Sequence, residues 1–202
     1  MGSPVYIALE GAEACGKSTQ SRLLADDLGA VLTRETGGTA IGQRLRAILH
    51  DTSVDDLDDR AEALIAAADR AQHVARVVRP ALDDGRDVVS DRSVYSTLAY
   101  QGFGRGLDVA ELRTINDWAV GGTWPDLVIW LRVPDRVASE RMLHRVLDRF
   151  EQAGADFHRR VLDGFATMAN DEPGRWVTVD ADGPLADVAD RVRTVVRERT
   201  GR

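Results

Sequence analysis

The stretch VYIALEGAEACGKSTQSRLLADDLG, residues 5–29, carries three signals in succession. Its apolar run, ending at Gly11, is short and predicts a buried strand. Leu23, Leu24 and Leu28 then recur at helical spacing, and Gly29 follows them, which predicts a helix stopped by glycine. Between strand and helix, Gly11, Gly16, Lys17 and Ser18 satisfy G-x-x-x-x-G-K-[ST]. In that setting glycines let the loop turn its N–H groups inward on phosphate oxygens, and the helix N-terminus adds a favourable potential for anions. Lys17 is the only lysine in the chain; every other permanent side-chain cation is arginine. A compact ammonium suits such a nest where a planar guanidinium does not.

Outward from this loop the same alternation continues. Short apolar runs at 30–35, 87–91, 125–133 and 175–181 predict further strands. Helical patterns fill 40–51, 58–85, 93–101, 108–121, 135–152, 155–171 and 184–199. Strands apolar on both faces and separated by helices predict an α/β fold: a central parallel sheet covered by helices on both sides. At 202 residues, 44% hydrophobic and 29% charged, with no linker or repeat, the chain reads as one domain over 1–202. No run of 18 apolar residues argues for a membrane span, and no secretory signal is evident, so cytoplasm is the expected location. The formal net charge of −7 argues against nucleic acid as a partner. The single cysteine, Cys15, excludes an intramolecular disulfide and reads as a small residue filling the loop. The histidines show no ligand spacing, and Trp118, Trp124, Trp130 and Trp176 read as packing residues.

A phosphate loop alone fits a kinase, a GTPase switch or an ATPase. A GTPase needs a second lysine in its guanine-reading Asn-Lys-x-Asp, which this chain lacks. Asp91 and Arg92 end the strand DVVSD at the side of the sheet where α/β proteins bind ligands.

Four segments together resemble the thymidylate kinase family of the bacterial type: LEGAEACGKSTQ, TRETGGTAIGQRLR, AADRAQHV and DRSVYSTLAYQGFGRG. Their order matches the family over nearly the whole chain, with VLDRFE and the late VDA. The resemblance implies a P-loop NTPase fold with a helical lid at about 139–156, and transfer of the γ-phosphoryl of ATP to dTMP with Mg²⁺. It implies that Gly11, Ala12, Glu13, Ala14, Cys15, Gly16, Lys17, Ser18 and Thr19 hold ATP, with Arg141 near adenine. It puts Ser18 and Asp91 on the metal side. It gives dTMP the residues Glu13, Arg34, Arg46, Ala66, Arg70, Arg92, Thr97, Tyr100 and Gln101. Lys17, Glu13 and Arg92 fall at the catalytic centre. Because the phosphate loop offers Ala14 and Cys15 and no arginine, the lid must supply a cation. Arg141, Arg145 and Arg149 lie at i, i+4 and i+8, one helical stripe, with Arg145 and Arg149 expected at the phosphates. A homodimer through the helix at 108–121 and the face around STLAYQ is implied too.

Two positions depart from the family. Thr36 stands where proline is common, and Ala66 where a phenylalanine stacks on thymine. The second leaves open a kinase for another or a modified deoxypyrimidine monophosphate. A nucleotide-binding regulator without turnover is a third reading, against which the second phosphate site argues.

Overall fold

The computed structural model describes residues 3–143 and 147–202. The five strands found among them are β1 (Tyr6–Glu10), β2 (Val31–Arg34), β3 (Val88–Asp91), β4 (Leu127–Arg132) and β5 (Trp176–Asp180), and they form one parallel sheet in the order β2-β3-β1-β4-β5. Every residue of β1 is buried, as a central strand covered on both faces requires. The chain leaves β1 toward β2 and β3 on one side and later crosses to β4 on the other. The loops after β1 and β3 therefore sit side by side at the carboxyl ends, in register Leu9↔Asp91.

The helices are α1 (Lys17–Leu28), α2 (Ala40–His50), α3 (Asp59–His73), α4 (Arg79–Asp83), α5 (Val94–Thr97), α6 (Val109–Val120), α7 (Asp135–Met142), α8 (Ala155–Asp171) and α9 (Leu185–Thr200). Local chemistry sets their ends. Asp58 caps α3 by accepting from the N–H groups of Arg60 and Ala61, and Asp108 caps α6 in the same way. Two buried apolar clusters take opposite faces of the sheet. One joins α1 and α9 to β1, β4 and β5; the other joins α3, α5, α6 and α8 to Val128, Trp130 and Trp176.

Four expectations need correction. The long helix expected over 58–85 widens into a π-helical turn at Val74–Val78. Pro80 follows, which cannot donate to the carbonyl four residues back and whose ring crowds it; a wider turn relieves both. The helix expected to stop at Gln101 runs on as a π-helical segment, Leu98–Gly104. Its glycines belong inside because two helices come close: a Cβ on Gly104 would meet the Phe157 ring of α8 at 2.6 Å, and one on Gly102 would meet Val109 of α6 at 3.0 Å. The helix expected over 135–152 ends at Met142, and 147–153 forms turns. Arg149 is therefore not on a helical stripe with Arg141, and Arg145 lies outside the described residues. Trp118 does not pack in the core: it is 85% exposed.

Candidate active site

The phosphate loop forms as its glycines demand. Gly11 has φ +145°, and a Cβ there would meet the Leu131 carbonyl oxygen at 2.6 Å. Gly16, with φ +99°, opens α1 without a side-chain cap, so the first N–H groups of the helix stay open to a ligand. Lys17 folds back over the loop, its Nζ donating to the carbonyls of Gly11 (2.9 Å) and Ala12 (2.6 Å). Cys15 is buried beneath it. Ser18 donates its hydroxyl to Asp91 Oδ2 at 2.5 Å, across the gap between the β1 and β3 loops.

From this loop a cavity of about 410 Å³ runs along the sheet's carboxyl edge toward α3. Glu13, Ala14, Gly16, Lys17, Ser18, Thr19 and Asp91 line one end. Arg34, Arg46 and Arg92 line the middle, and Ala66, Arg70, Thr97, Tyr100 and Gln101 the far end. Fifteen expected substrate or loop positions thus converge on one volume although they come from α1, β2, α2, α3, the β1 and β3 loops, α5 and the π-helical segment.

The middle is electrostatically poised for an anion. Burial, and then the neighbouring Arg34 and Arg92, push the Arg46 guanidinium down to about 10. Three cations face one cavity, and among the described residues Arg46 finds only the Thr36 carbonyl (3.3 Å) and hydroxyl (3.4 Å) as hydrogen-bond acceptors. Arg92 adopts φ +71°, a left-handed conformation for a non-glycine residue, which turns its side chain back over the phosphate loop. There its guanidinium pairs with Glu13 and donates to the Gly11 carbonyl (3.3 Å) and to the hydroxyls of Ser96 (3.2 Å) and Tyr100 (3.1 Å). Burial alone would raise the Glu13 carboxyl; Arg92 and then Lys17 outweigh it and hold the group at about 2.

The far end is braced by buried polar groups. Arg70 is 2% exposed and donates to Glu35 (2.7 Å), Thr97 (3.0 Å), Asn116 (2.5 Å) and the Ser93 carbonyl (3.2 Å). A guanidinium has five N–H groups, so little donor capacity is left for a ligand. Gln101 donates its amide to Glu62 at 2.7 Å, which leaves its carbonyl oxygen as the acceptor.

Sequence reasoning missed several lining residues. Glu35, His50, Ser96, Asp148, Phe150 and Glu151 all border the cavity. Glu10, buried behind it, accepts from Ser93 and Ser96 and fixes the start of α5. Only the acids inside RETGG and DRFE gave any signal, as charges within short conspicuous motifs. Of the lid arginines, Arg141 borders the cavity and donates to the Ala14 carbonyl at 3.1 Å. Arg149 does not line it: the guanidinium is engaged by Glu62 and the Leu49 carbonyl.

A phosphate loop that shares its cavity with a separate cluster of arginines defines a P-loop kinase acting on a small phosphorylated acceptor, since an ATPase has no use for a second anion site. Comparison with known proteins narrows the class. The family model described as thymidylate kinase matches residues 9–192. A thymidylate kinase from Synechococcus sp. (strain JA-2-3B'a(2-13)) is 46% identical over 200 residues, covering 96% of this chain and 95% of that protein. One from Desulfovibrio desulfuricans is 44% identical over 205 residues, with 95% and 94% covered. The crystal structure of thymidylate kinase from Ehrlichia chaffeensis superimposes with a TM-score of 0.80 at 29% identity, covering 96% of this chain and all of that one. The chain belongs to the thymidylate kinase family.

Proposed function

We propose that this protein transfers the γ-phosphoryl group of ATP to the phosphate of dTMP, giving dTDP and ADP for dTTP supply in the cytoplasm. The observation that carries the reading is the cluster of Arg34, Arg46 and Arg92 in the cavity that Lys17 also lines. Lys17 and the open N–H groups of the loop take the β- and γ-phosphates of ATP, and Arg141 closes over the loop from the lid. Arg92 and Arg46, with Arg34 beside them, hold the acceptor phosphate. An acceptor phosphate oxygen forms the new bond to the γ-phosphorus as the bond to the bridging oxygen of ADP breaks. The attacking oxygen is already anionic, so no strong general base is needed; alignment and charge neutralisation carry the rate.

Ser18 and Asp91 suit Mg²⁺: a hydroxyl and a carboxylate, both hard oxygen donors, meet beside the phosphate loop. A cation held by these two side chains would take its other ligands from phosphate and water. Bound there, Mg²⁺ supplies positive charge to the transferring phosphoryl group.

The protein is expected to work as a homodimer. Leu64 on α3, with Ile115 and Trp118 on the adjoining α6, presents apolar surface to solvent. No helix among the described residues is long and apolar enough to cross a membrane.

Phosphorus NMR of a reaction holding ATP, dTMP and Mg²⁺ tests the reading. The β-phosphorus signal of dTDP should grow in step with ADP. Growth of inorganic phosphate alone would mean an ATPase.

A further inference from the structure

Three consecutive residues of the lid's C-terminal arm contact α2, α3 and the π-helical segment around the acceptor cavity. Asp148 Oδ2 lies 2.7 Å from Nδ1 of His50, at the end of α2. Arg149 donates from Nε to the Leu49 carbonyl at 3.0 Å and pairs with Glu62 on α3. The Phe150 ring packs edge-to-face on His50, with centroids 5.3 Å apart, and on Tyr100 at 5.8 Å. The arm is also locked upon itself. Asp148 Oδ1 accepts from the N–H groups of Phe150 and Glu151, both at 2.9 Å, and Glu151 returns a carboxylate oxygen to the Asp148 N–H at 2.9 Å. That reciprocal arrangement is the geometry of a capping box placed on a turn.

Phe150 and Ala66 belong to the same buried apolar cluster, and both line the cavity's far end. Ala66 offers only a methyl group there. Among the described lining residues the aromatic rings are His50, Tyr100 and Phe150. Tyr100 is committed at its hydroxyl to Arg92 and Glu13, at the phosphate end. His50 is committed to Asp148. Phe150 carries no polar group to commit. The Arg149 guanidinium sits 5.0 Å from its ring centroid and holds one face of the ring. Glu62 fixes Arg149 and also accepts from Gln101 (2.7 Å) and Arg105 (3.1 Å), so one buried carboxylate ties the lid arm to the polar wall of the pocket.

We propose that Phe150, carried by the lid arm, is the aromatic contact for the acceptor base and a determinant of its specificity, with Arg149 positioning it through Glu62. The inference rests on the reading of this cavity as the acceptor site. Its consequence is that the base pocket is complete only while the lid arm is docked, and that Arg149 acts on acceptor binding and not on the phosphoryl group.

Steady-state kinetics of the full chain test this, varying dTMP, dUMP and ATP in turn for Phe150→Ala, Phe150→Leu, Arg149→Ala, Arg149→Lys, Ala66→Phe and the double variant Ala66→Phe/Phe150→Ala. Phe150→Ala should raise KM for dTMP about ten- to a hundredfold, the range of a lost base–aromatic contact, with KM for ATP within about twofold. Phe150→Leu keeps most of the volume and should fall between. The double variant should recover part of the loss, because a ring returns from the α3 side. Arg149→Ala should raise KM for dTMP by a larger factor than it lowers kcat, and Arg149→Lys should recover part of that. An unchanged KM for dTMP in both Phe150 variants overturns the proposal, as does a double variant no better than Phe150→Ala. A fall in kcat with both KM values unchanged in Arg149→Ala returns Arg149 to the phosphates. A parent enzyme without turnover on dTMP contradicts the functional reading itself. A parent that turns over dTMP, with a KM indifferent to Phe150, contradicts this inference alone.

Discussion

Glu13 and Arg92 are joined across the mouth of the phosphate loop, a carboxylate from the β1 loop paired with a guanidinium from the β3 loop. The pair ties the donor half of the site to the acceptor half. It also explains how an acid is tolerated in an anion-binding loop: Arg92 and Lys17 hold it ionised against the effect of burial.

The depressed Glu13 group has a consequence for stability. Its carboxyl titrates at about 2 in the fold against an ordinary value of 4.5. A group lowered by folding stabilises the native state above its unfolded value and loses that contribution as pH falls through the folded value. Urea denaturation of the parent and of Glu13→Gln should therefore differ by a constant amount above about pH 5, and the gap should move steadily in favour of the variant as pH drops toward about 2. The change should be on the order of 3 kcal/mol. A gap independent of pH across that range would show that Glu13 is not held by Arg92 in solution.

Lys17→Ala should leave a folded protein with turnover reduced by about two to three orders of magnitude, since one phosphate cation contributes about 3–4 kcal/mol to the transition state. Lys17→Arg should be nearly as damaging, because the ammonium fits between two loop carbonyls where a planar fork does not. Circular dichroism beside a coupled assay checks both; near-parent turnover in the arginine variant would contradict the fit.

Arg92→Ala should weaken dTMP far more than ATP. Its partners belong to both loops, but its guanidinium lies in the arginine cluster of the middle cavity. Isothermal titration with each nucleotide separately measures the split, and equal losses would argue against a divided site.

The exposed Trp118 makes assembly testable. Trp118→Asp should shift sedimentation from dimer to monomer, placing a charge where an apolar face is expected to be covered. Two variants of equal mass in solution would leave that face without a partner copy.

The phosphate loop, the sheet and most helix limits were legible in the sequence because each rests on local rules. Short apolar runs, apolar residues at helical spacing and glycine stops act within a few residues. Val94–Thr97 and Ala155–Asp171 show how far such rules reach, and the second was anticipated to the residue. What escaped depends on contacts between distant segments. The π-helical turn through Gly104 answers to the Phe157 ring of α8. Arg149 read as part of a basic stripe because its partner, Glu62, lies 87 residues away. Phe150 drew no reading of its own from the sequence, where it stands only as one letter of VLDRFE, because nothing nearby shows that Ala66 and Tyr100 share its cavity. Buried carboxylates such as Glu10 and Glu62 are invisible for the same reason: only the fold shows that each serves several donors.

The account's central claim is that one cavity unites an ATP-binding loop with an acceptor site for dTMP. ADP release, followed in a coupled assay with ATP and Mg²⁺ against dTMP, dUMP, dCMP, dAMP and dGMP, tests it most directly. The account predicts release that depends on the acceptor, is greatest with dTMP, and is abolished in Lys17→Ala. Release that is equal with and without an acceptor, or greatest with a purine monophosphate, would contradict it.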